Sequence, residues 1–575
     1  TFLNHDAPAP GLPQVGLVFR RLAVLDPDPR AMQPMSTPDG RHTLVYNGEI
    51  YNYQTLRSEL SPRSWRTTGD TEVLLHALAD QGTSALQRLN GMFALALWDE
   101  QEKTLLLARD RMGQKPLYYL QRRNQLVAFA SELPAITAVE PPGELDSQAL
   151  RHYLRYGFIA APRTIYADVR MLPPGHFLKV RFDEADATAV PETCPWPARR
   201  AGGSTRELVE RAVERQMVSD VPLGVLLSGG IDSSIIAAAA RRHGPVHSFS
   251  IGFDDPRYDE SAYAARVAKH LGTIHHAFHV TPDAAADLPK LAAVFGEPFG
   301  DSSALPTHYL AQQTRQHVTV ALSGDGGDEL FGGYERYRAM SLPLKWLRPL
   351  APIGRRFSRG HPKATLTRLG RLLQSAGQSP VGRYAGYLAL FDEVAVNSLI
   401  GDSGSTDTLA EEWAARYTGD AVTTALAVDR GHYLPGDLLT KIDRASMLHA
   451  LEVRSPFMDP DLVMHAQTLT RDQLLRGGKK RMLREAFAAD LPAEVFTRAK
   501  RGFAVPIGDW LRGPLRSMLH DTLLASTSFT ASHLNKPLIE EWMAEHDTGR
   551  VDHAQRLYAL LMLDLWHQSV AQGMR

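Results

Sequence analysis

The run Leu226-Leu227-Ser228-Gly229-Gly230-Ile231-Asp232-Ser233-Ser234 reads as a strand end, a glycine turn and a helix start in succession. Val225 to Leu227 supply an apolar strand, and Gly229 and Gly230 let the backbone take positive φ and approach a ligand closely. Ser233 and Ser234 open a helix predicted over 235–242. The first N–H groups of such a helix lack intrahelical partners and carry the positive end of its dipole, so an anion fits there. No lysine follows the glycines, which separates the run from loops that hold β- and γ-phosphates through a lysine. A plain Ser/Gly turn between strand and helix remains the other reading.

Outward from this run the pattern is strand alternating with helix. A helix over 205–216 precedes it; strands over 246–253, 274–280 and 318–322 follow, with a helix over 261–271 and two more before the last strand. Such alternation predicts a parallel sheet with helices on both faces and ligands at the carboxyl ends of the strands, where Ser228, Gly252 and Ser323 fall. Beyond residue 338 the sequence reads as mostly helical, with a basic segment, Lys345 to Arg371, taken as a solvated insert. Upstream the texture differs. Val15 to Asp26 and Thr43 to Ile50 read as strands around the turn Pro38-Asp39-Gly40, a helix runs from Asp70 to Gln81 with Asp70 as its N-cap, and two hairpins follow at 92–108 and 116–130. A helix over 147–156 and the Pro173-Pro174-Gly175 turn complete an α+β region. Residues 183–203 lose periodicity and hold three prolines, so they read as a linker between a first domain, 1–182, and a second, 204–575.

The chain has 575 residues, too many for one hydrophobic core. A hydrophobic share of 44% and a charged share of 22% are those of an ordinary globular protein, and a net charge of −1 gives no electrostatic reason to bind nucleic acid. No apolar run is long enough to span a membrane and no signal-peptide pattern opens the sequence, so a cytoplasmic protein without membrane partners is expected. Cys194 is the only cysteine, which excludes an internal disulfide and a cysteine metal cluster.

Three further strings give the opening run a context: Ser323-Gly-Asp-Gly-Gly-Asp-Glu329, Lys441-Ile-Asp-Arg-Ala-Ser446 with Leu451-Glu-Val-Arg-Ser-Pro-Phe457, and Arg498-Ala-Lys-Arg-Gly-Phe503. The run itself is similar to the S-G-G-x-D-S loop of ATP pyrophosphatases, and together the strings resemble the synthetase domain of the glutamine-hydrolysing asparagine synthetases. Arg20-Arg21-Leu22, Asn47-Gly-Glu-Ile-Tyr-Asn52, Gly69-Asp70 and Arg109-Asp-Arg-Met-Gly113 resemble the glutaminase domain of the same family. The resemblance implies an N-terminal-nucleophile-hydrolase-like αββα sandwich, then a parallel-sheet α/β ATP pyrophosphatase domain with a helical C-terminal part. It implies an amide-forming ligase that uses ATP and Mg²⁺ to convert aspartate to asparagine through β-aspartyl-AMP, with glutamine or ammonia as nitrogen source. A homodimer is compatible with it.

Carried over residue by residue, the resemblance puts Asn47 and Gly48 at an oxyanion hole, Arg21 on the glutamine α-carboxylate, and Glu49 and Asp70 on its α-amine. Leu226 and Ile251 match adenine contacts, Ser228, Gly229, Gly230 and Ser233 the pyrophosphate loop, and Ser323 and Gly324 contacts near the nucleotide. Asp232 and Asp328 match Mg²⁺-associated acids. Lys500 matches a lysine stabilising the α-phosphate, and Asp325 a residue that helps deprotonate the incoming nitrogen donor. Three departures stand out, one being that Asp325 stands where some members carry Glu. The family's glutaminase begins with a nucleophilic cysteine, whereas this sequence begins with Thr1, so glutamine hydrolysis is expected only with an upstream segment restored, while ammonia would still serve. Gly436 replaces a frequent acid. An amidotransferase acting on another carboxylate of a glycan or secondary-metabolite pathway, a ring-closing relative, and a non-catalytic ATP-binding protein are the alternative readings.

Overall fold

The computed structural model describes residues 2–3, 15–123, 125–182, 192–193, 202–357, 369–370, 372–373, 375–402, 408–498, 503 and 505–573. Cys194, Lys500 and most of the expected linker lie outside the described residues.

The N-terminal half is built on antiparallel strands. β1 (Phe2–Leu3) pairs with β2 (Gly16–Leu17). β3 (Met35–Ser36), β4 (His42–Ile50), β5 (Gly91–Asp99) and β6 (Thr104–Arg109) form one sheet with β10 (His176–Arg181) and β11 (Glu192–Thr193), in the order β11-β10-β6-β5-β4-β3. β7 (Tyr118–Arg122), β8 (Gln125–Ala130) and β9 (Val169–Met171) form a second, in the order β8-β7-β9. The two-residue period of a strand then sorts the side chains into layers. On β5, Phe93, Leu95 and Leu97 face α1 (Tyr53–Glu59) and α2 (Asp70–Gln81), packing with Leu56, Val73 and Leu74. Ala94, Ala96 and Trp98 face the other way, onto Leu117, Tyr119 and Leu172 of the second sheet. The far side of that sheet, Tyr118 and Leu120, packs on α3 (Leu133–Val139) and α4 (Ser147–Tyr156) through Leu133, Ile136 and Tyr153. The result is the helix–sheet–sheet–helix sandwich expected from the sequence.

Two local expectations are corrected. The strand expected across Val15 to Asp26 survives only as Gly16–Leu17, because the carbonyls of Leu25 and Asp26 turn onto the Arg21 guanidinium (2.6 and 2.7 Å) instead of a neighbouring strand. The N-cap of α2 is Gly69, not Asp70: the Asp70 carboxylate is taken by the Tyr46 hydroxyl (2.7 Å) and the Ile50 N–H (2.9 Å).

The C-terminal half opens with α5 (Thr205–Gln216), started by a Ser204–Glu207 capping box. β12 (Leu223–Leu226), α6 (Ile231–Arg241), β13 (His247–Gly252), α7 (Ser261–Leu271), β14 (Ile274–His279), α8 (Ala284–Phe295), α9 (Ala304–Arg315), β15 (Val320–Leu322) and α10 (Gly327–Phe331) follow. The sheet is parallel, in the order β14-β13-β12-β15-β16, and its last strand, β16 (Glu452–Arg454), comes from the stretch read as helical. Three residues offer too short a pattern to read. α6 also starts at Ile231, four residues before the helix the sequence suggests. One continuous buried cluster joins α3, α4 and β7 to this half, reinforced where the Tyr153 hydroxyl donates to the Ala559 carbonyl (2.7 Å). No helix of the described residues is long and apolar enough to cross a membrane.

Glu297, just past α8, is buried in this junction and accepts the Ile165 N–H at 3.1 Å. Burial pushes its carboxyl from the model-peptide value of 4.5 up to about 8. The folded protein therefore keeps a proton that the unfolded chain releases, and stability falls as pH rises from the ordinary glutamate range through 8. Glu297→Gln should match wild type near pH 4.5 and exceed it by roughly 4 kcal/mol at pH 8 in urea denaturation. A variant with the wild-type pH slope would contradict this.

Candidate functional site

β12 ends at Leu226, and the chain turns through Ser228 to Gly230 into α6. Gly229 takes positive φ (+72°), whereas Gly230 is the extended N-cap residue (φ −79°). The turn is closed by hydroxyls: Ser228 Oγ and Ser233 Oγ lie 3.0 Å apart, the Ser228 N–H donates to Ser233 Oγ (3.2 Å), and the Gly230 N–H donates to Ser228 Oγ (3.3 Å). Leu226 and Ile251, on adjacent parallel strands, are both buried at this carboxyl edge.

The second glycine loop leaves the neighbouring strand β15. The Ser323 N–H donates to the Arg454 carbonyl (2.8 Å) and its hydroxyl contacts Ser455 Oγ (3.1 Å), which fixes the loop to β16. Gly324 packs on Asp232 and on the backbone of Ser233, so the two loops are in direct contact. Asp232 from the first and Asp328 from the second converge on one cation, the ammonium of Lys480, with Asp328 Oδ1 at 2.6 Å. Burial opposes the charge on Lys480, but Asp232 and Asp328 outweigh it and hold the ammonium above the usual lysine range. Two carboxylates focused on one cation beside a glycine turn and a helix start are a donor set that would suit Mg²⁺, which takes one or two carboxylates plus phosphate oxygens. No three metal-ligating side chains converge among the described residues.

Asp325 lies in the same turn, and its charge is felt by Lys441, which pairs with Asp301 at 2.7 Å. Asp437 completes this buried group; burial and then the Asp301 carboxylate push it well above the usual carboxylate range. Asp437 belongs to a π-helical segment, Asp429–Leu438, that also carries Gly436. A side chain at Gly436 would come within 2.7 Å of the Phe158 ring, so the acid that the family pattern suggests has no room here.

The other candidate site lies at the end of β4. Gly48 has φ +143°, and a Cβ there would meet the Met92 carbonyl oxygen at 1.9 Å, so only glycine fits this turn beside Asn47. The Asn47 amide donates to Ser131 Oγ (3.3 Å), and the Ser131 carbonyl accepts from Arg444 (2.7 Å). Glu49 is buried; burial, then Glu452 and Asp70, raise its pKa well above the usual glutamate range against the pull of Arg454 and Lys115. Glu49 and Asp70 thus belong to one buried acidic cluster, with Asn47 and Gly48 next to Glu49 in β4. Arg21 stays apart: it caps its own loop, and no hydrogen bond among the described residues joins it to Asn47, Glu49 or Asp70.

A helix-flanked double sheet with an Asn-Gly-Glu strand end, joined to a parallel sheet with two interlocked glycine loops, defines a protein in which an amidotransferase-type half accompanies a nucleotide-loop half. Comparison with known proteins makes the class specific. The asparagine synthase family matches residues 204–568, and the glutamine amidotransferase domain matches residues 11–190. An asparagine synthetase [glutamine-hydrolyzing] 1 of Bacillus subtilis is 32% identical over 96% of this chain and 89% of its own length. A putative asparagine synthetase [glutamine-hydrolyzing] of Mycobacterium tuberculosis is 35% identical over 96% and 88%. The chain belongs to the asparagine synthase family.

Lys480 and the pair Glu452–Arg454 escaped sequence reasoning as site residues. Lys480 sits in Gly477-Gly-Lys-Lys480 at the start of a short helix, and its left-handed φ of +55° is a signal that only the structure exposes. Removing one partner of a buried charge cluster leaves the others uncompensated. Lys480→Met should therefore lower unfolding stability at pH 7 by about 3 kcal/mol or more in urea denaturation. An unchanged midpoint would show that the Asp232–Lys480–Asp328 cluster is not a buried, mutually dependent unit.

Proposed function

We propose that this protein is an ATP-dependent ligase that makes asparagine from aspartate. The β-carboxylate of aspartate attacks the α-phosphorus of ATP, releasing pyrophosphate and forming β-aspartyl-AMP; ammonia then attacks the acyl carbon and AMP leaves. The observation that carries this reading is the meeting of the two glycine loops at the carboxyl edge of the parallel sheet, with Asp232, Asp328 and Lys480 focused on one point. An adenylating enzyme needs such a place, because charge builds on the departing pyrophosphate.

In this reading Leu226 and Ile251 flank the adenine, and Ser228, Gly229, Gly230, Ser233, Ser323 and Gly324 hold the phosphates through N–H and hydroxyl groups. Asp232 and Asp328 would hold Mg²⁺, which when bound neutralises phosphate charge. Lys480 supplies a second fixed cation there, and Lys500 a third toward the α-phosphate. Asp325, beside the charged Lys441–Asp301 pair, takes the proton that the attacking nitrogen must lose. The glutamine end belongs to Asn47 and Gly48 as oxyanion donors, Glu49 and Asp70 on the α-ammonium, and Arg21 on the α-carboxylate once it releases its loop carbonyls. The glutaminase region is assigned to 1–182, the linker to 183–203 and the synthetase region to 204–575, with the protein working in the cytoplasm.

Purified protein supplied with ATP, Mg²⁺, ammonium and single carboxylates should release pyrophosphate with aspartate and yield asparagine. Release with a different acid alone would transfer the reading to another amidotransferase reaction, and none with any acid would leave a nucleotide-binding protein. Asp232→Ala should abolish ammonia-dependent turnover whereas Asn47→Ala should spare it; equal losses would argue against two separate sites.

A further inference from the structure

β16 brings the C-terminal half against the end of β4, and buried polar atoms meet there. Glu49 Oε2, Arg454 Nη2 and the Tyr51 hydroxyl are buried and have no hydrogen-bond partner among the described residues. Glu49 Oε2 and Arg454 Nη2 lie 3.7 Å apart, and the guanidinium carbon is 5.4 Å from the Tyr51 ring centre. Arg454 has no exposed surface, and the rest of its fork is fixed: Nε donates to Glu452 Oε1 (2.7 Å), and Nη1 to the carbonyls of Gln216 (2.8 Å) and Val218 (2.7 Å). A rigid donor fork held on three points leaves Nη2 facing Glu49.

The charges around Glu49 do not balance. Asp70 on α2 and Glu452 on β16 add negative charge; Arg454 answers it, while Lys115 is engaged with Asp443 at 2.8 Å. Tyr46 and Tyr51 contribute neutral hydroxyls, since burial first of all raises both well above the usual tyrosine range. Three carboxyl groups against one guanidinium leave room for a further cation. The α-ammonium of an amino acid supplies it; a carboxylate end would not.

We propose that Arg454, contributed by the synthetase half, is a positioning residue of the glutamine site, holding the Glu49 carboxylate charged and aimed at the substrate α-ammonium. The inference rests on the assignment of Glu49 to glutamine. It goes beyond that assignment by making the pocket incomplete without the other half of the chain. Burial with Glu452 and Asp70 favours a proton on Glu49, and a neighbouring ammonium disfavours it. Glutamine binding then requires loss of that proton, so binding tightens as pH rises, and Arg454 sets the pH at which it does so.

The test is calorimetric titration of L-glutamine into the full chain between pH 6 and pH 9, in two buffers of different ionisation enthalpy. Wild type should release protons on binding and bind more tightly with rising pH. Arg454→Met should move the midpoint of that pH dependence up by about one unit and weaken binding at pH 7 about tenfold. Arg454→Lys should restore part of both. Glu452→Gln should move the midpoint the opposite way, because it removes a like charge while its amide oxygen still accepts from Nε. A pH-independent loss in Arg454→Met, or a wild-type midpoint in all three variants, would overturn the positioning role while leaving the glutamine assignment intact. Absence of glutamine binding by the wild-type chain would overturn that assignment, and the inference with it. If Arg454→Met fails to fold, the opposed shifts of Arg454→Lys and Glu452→Gln still decide.

Discussion

A guanidinium with no exposed surface lies where the antiparallel and parallel halves meet, and much of the arrangement depends on it. Arg454 could not be buried without compensation, since an isolated charge in a protein interior is prohibitively costly. The chain meets that cost with the Glu452 carboxylate, the carbonyls of Gln216 and Val218 at the end of α5 and just past it, and the neighbouring Glu49. These partners come from β16, from the C-terminal end of α5 with the residues just after it, and from β4, so the ion locks three distant parts of the sequence into one register. Lys115 with Asp443, and Arg444 with the Ser131 carbonyl, repeat the device across the same junction. Replacing such ions by apolar groups is often stabilising in other proteins. Their presence here, next to Asn47 and Glu49, fits a junction whose polar groups serve the neighbouring pocket as well as the fold.

Local patterns were legible wherever a single strand or helix decides its own environment. The alternation of β5 and β6 follows from side chains that must satisfy two different layers, and the helices Ser147–Tyr156 and Thr205–Gln216 begin and end where their caps dictate, at Asp146 and Ser204. The strand–turn–helix at Ser228 to Ser234 was readable for the same reason: a glycine turn between an apolar strand and a helix start has few alternatives. The Val15 to Asp26 segment misled because its apolar content serves burial while its carbonyls serve Arg21, a pairing that no period encodes.

What the sequence hid lies in long-range charge placement. Lys480 meets Asp232 across 248 positions, and Arg454 meets the Gln216 carbonyl across 238. A lysine in a glycine-flanked turn and an arginine in a three-residue strand both look like surface residues until the partners are in place. Glu49 was legible only as a member of a family motif; its coupling to Glu452 and Arg454 is invisible without β16. The Asp437–Asp301–Lys441 group is of the same kind, since its members come from a π-helical segment, from the turn before α9 and from the helix Leu439–Met447.

Arg454 also bears on how the two sites relate. Its side chain faces Glu49, while its own carbonyl accepts the N–H of Ser323, the first residue of the second glycine loop. A residue fixed at both ends transmits displacement only if one of its anchors has two stable arrangements, because packed interiors are bistable rather than continuously deformable. The Glu49 end has the chemical means for two: burial with Glu452 and Asp70 favours its protonated form, and a neighbouring ammonium its ionised form. The Ser323 end has a second partner, Ser455 Oγ, that can hold the loop while the backbone bond adjusts. If occupancy of one pocket changes affinity at the other, linkage requires the same factor in the reverse direction. Arg454 would carry that energy together with the other charged contacts across the junction, Lys115 with Asp443 and Arg444 with the Ser131 carbonyl.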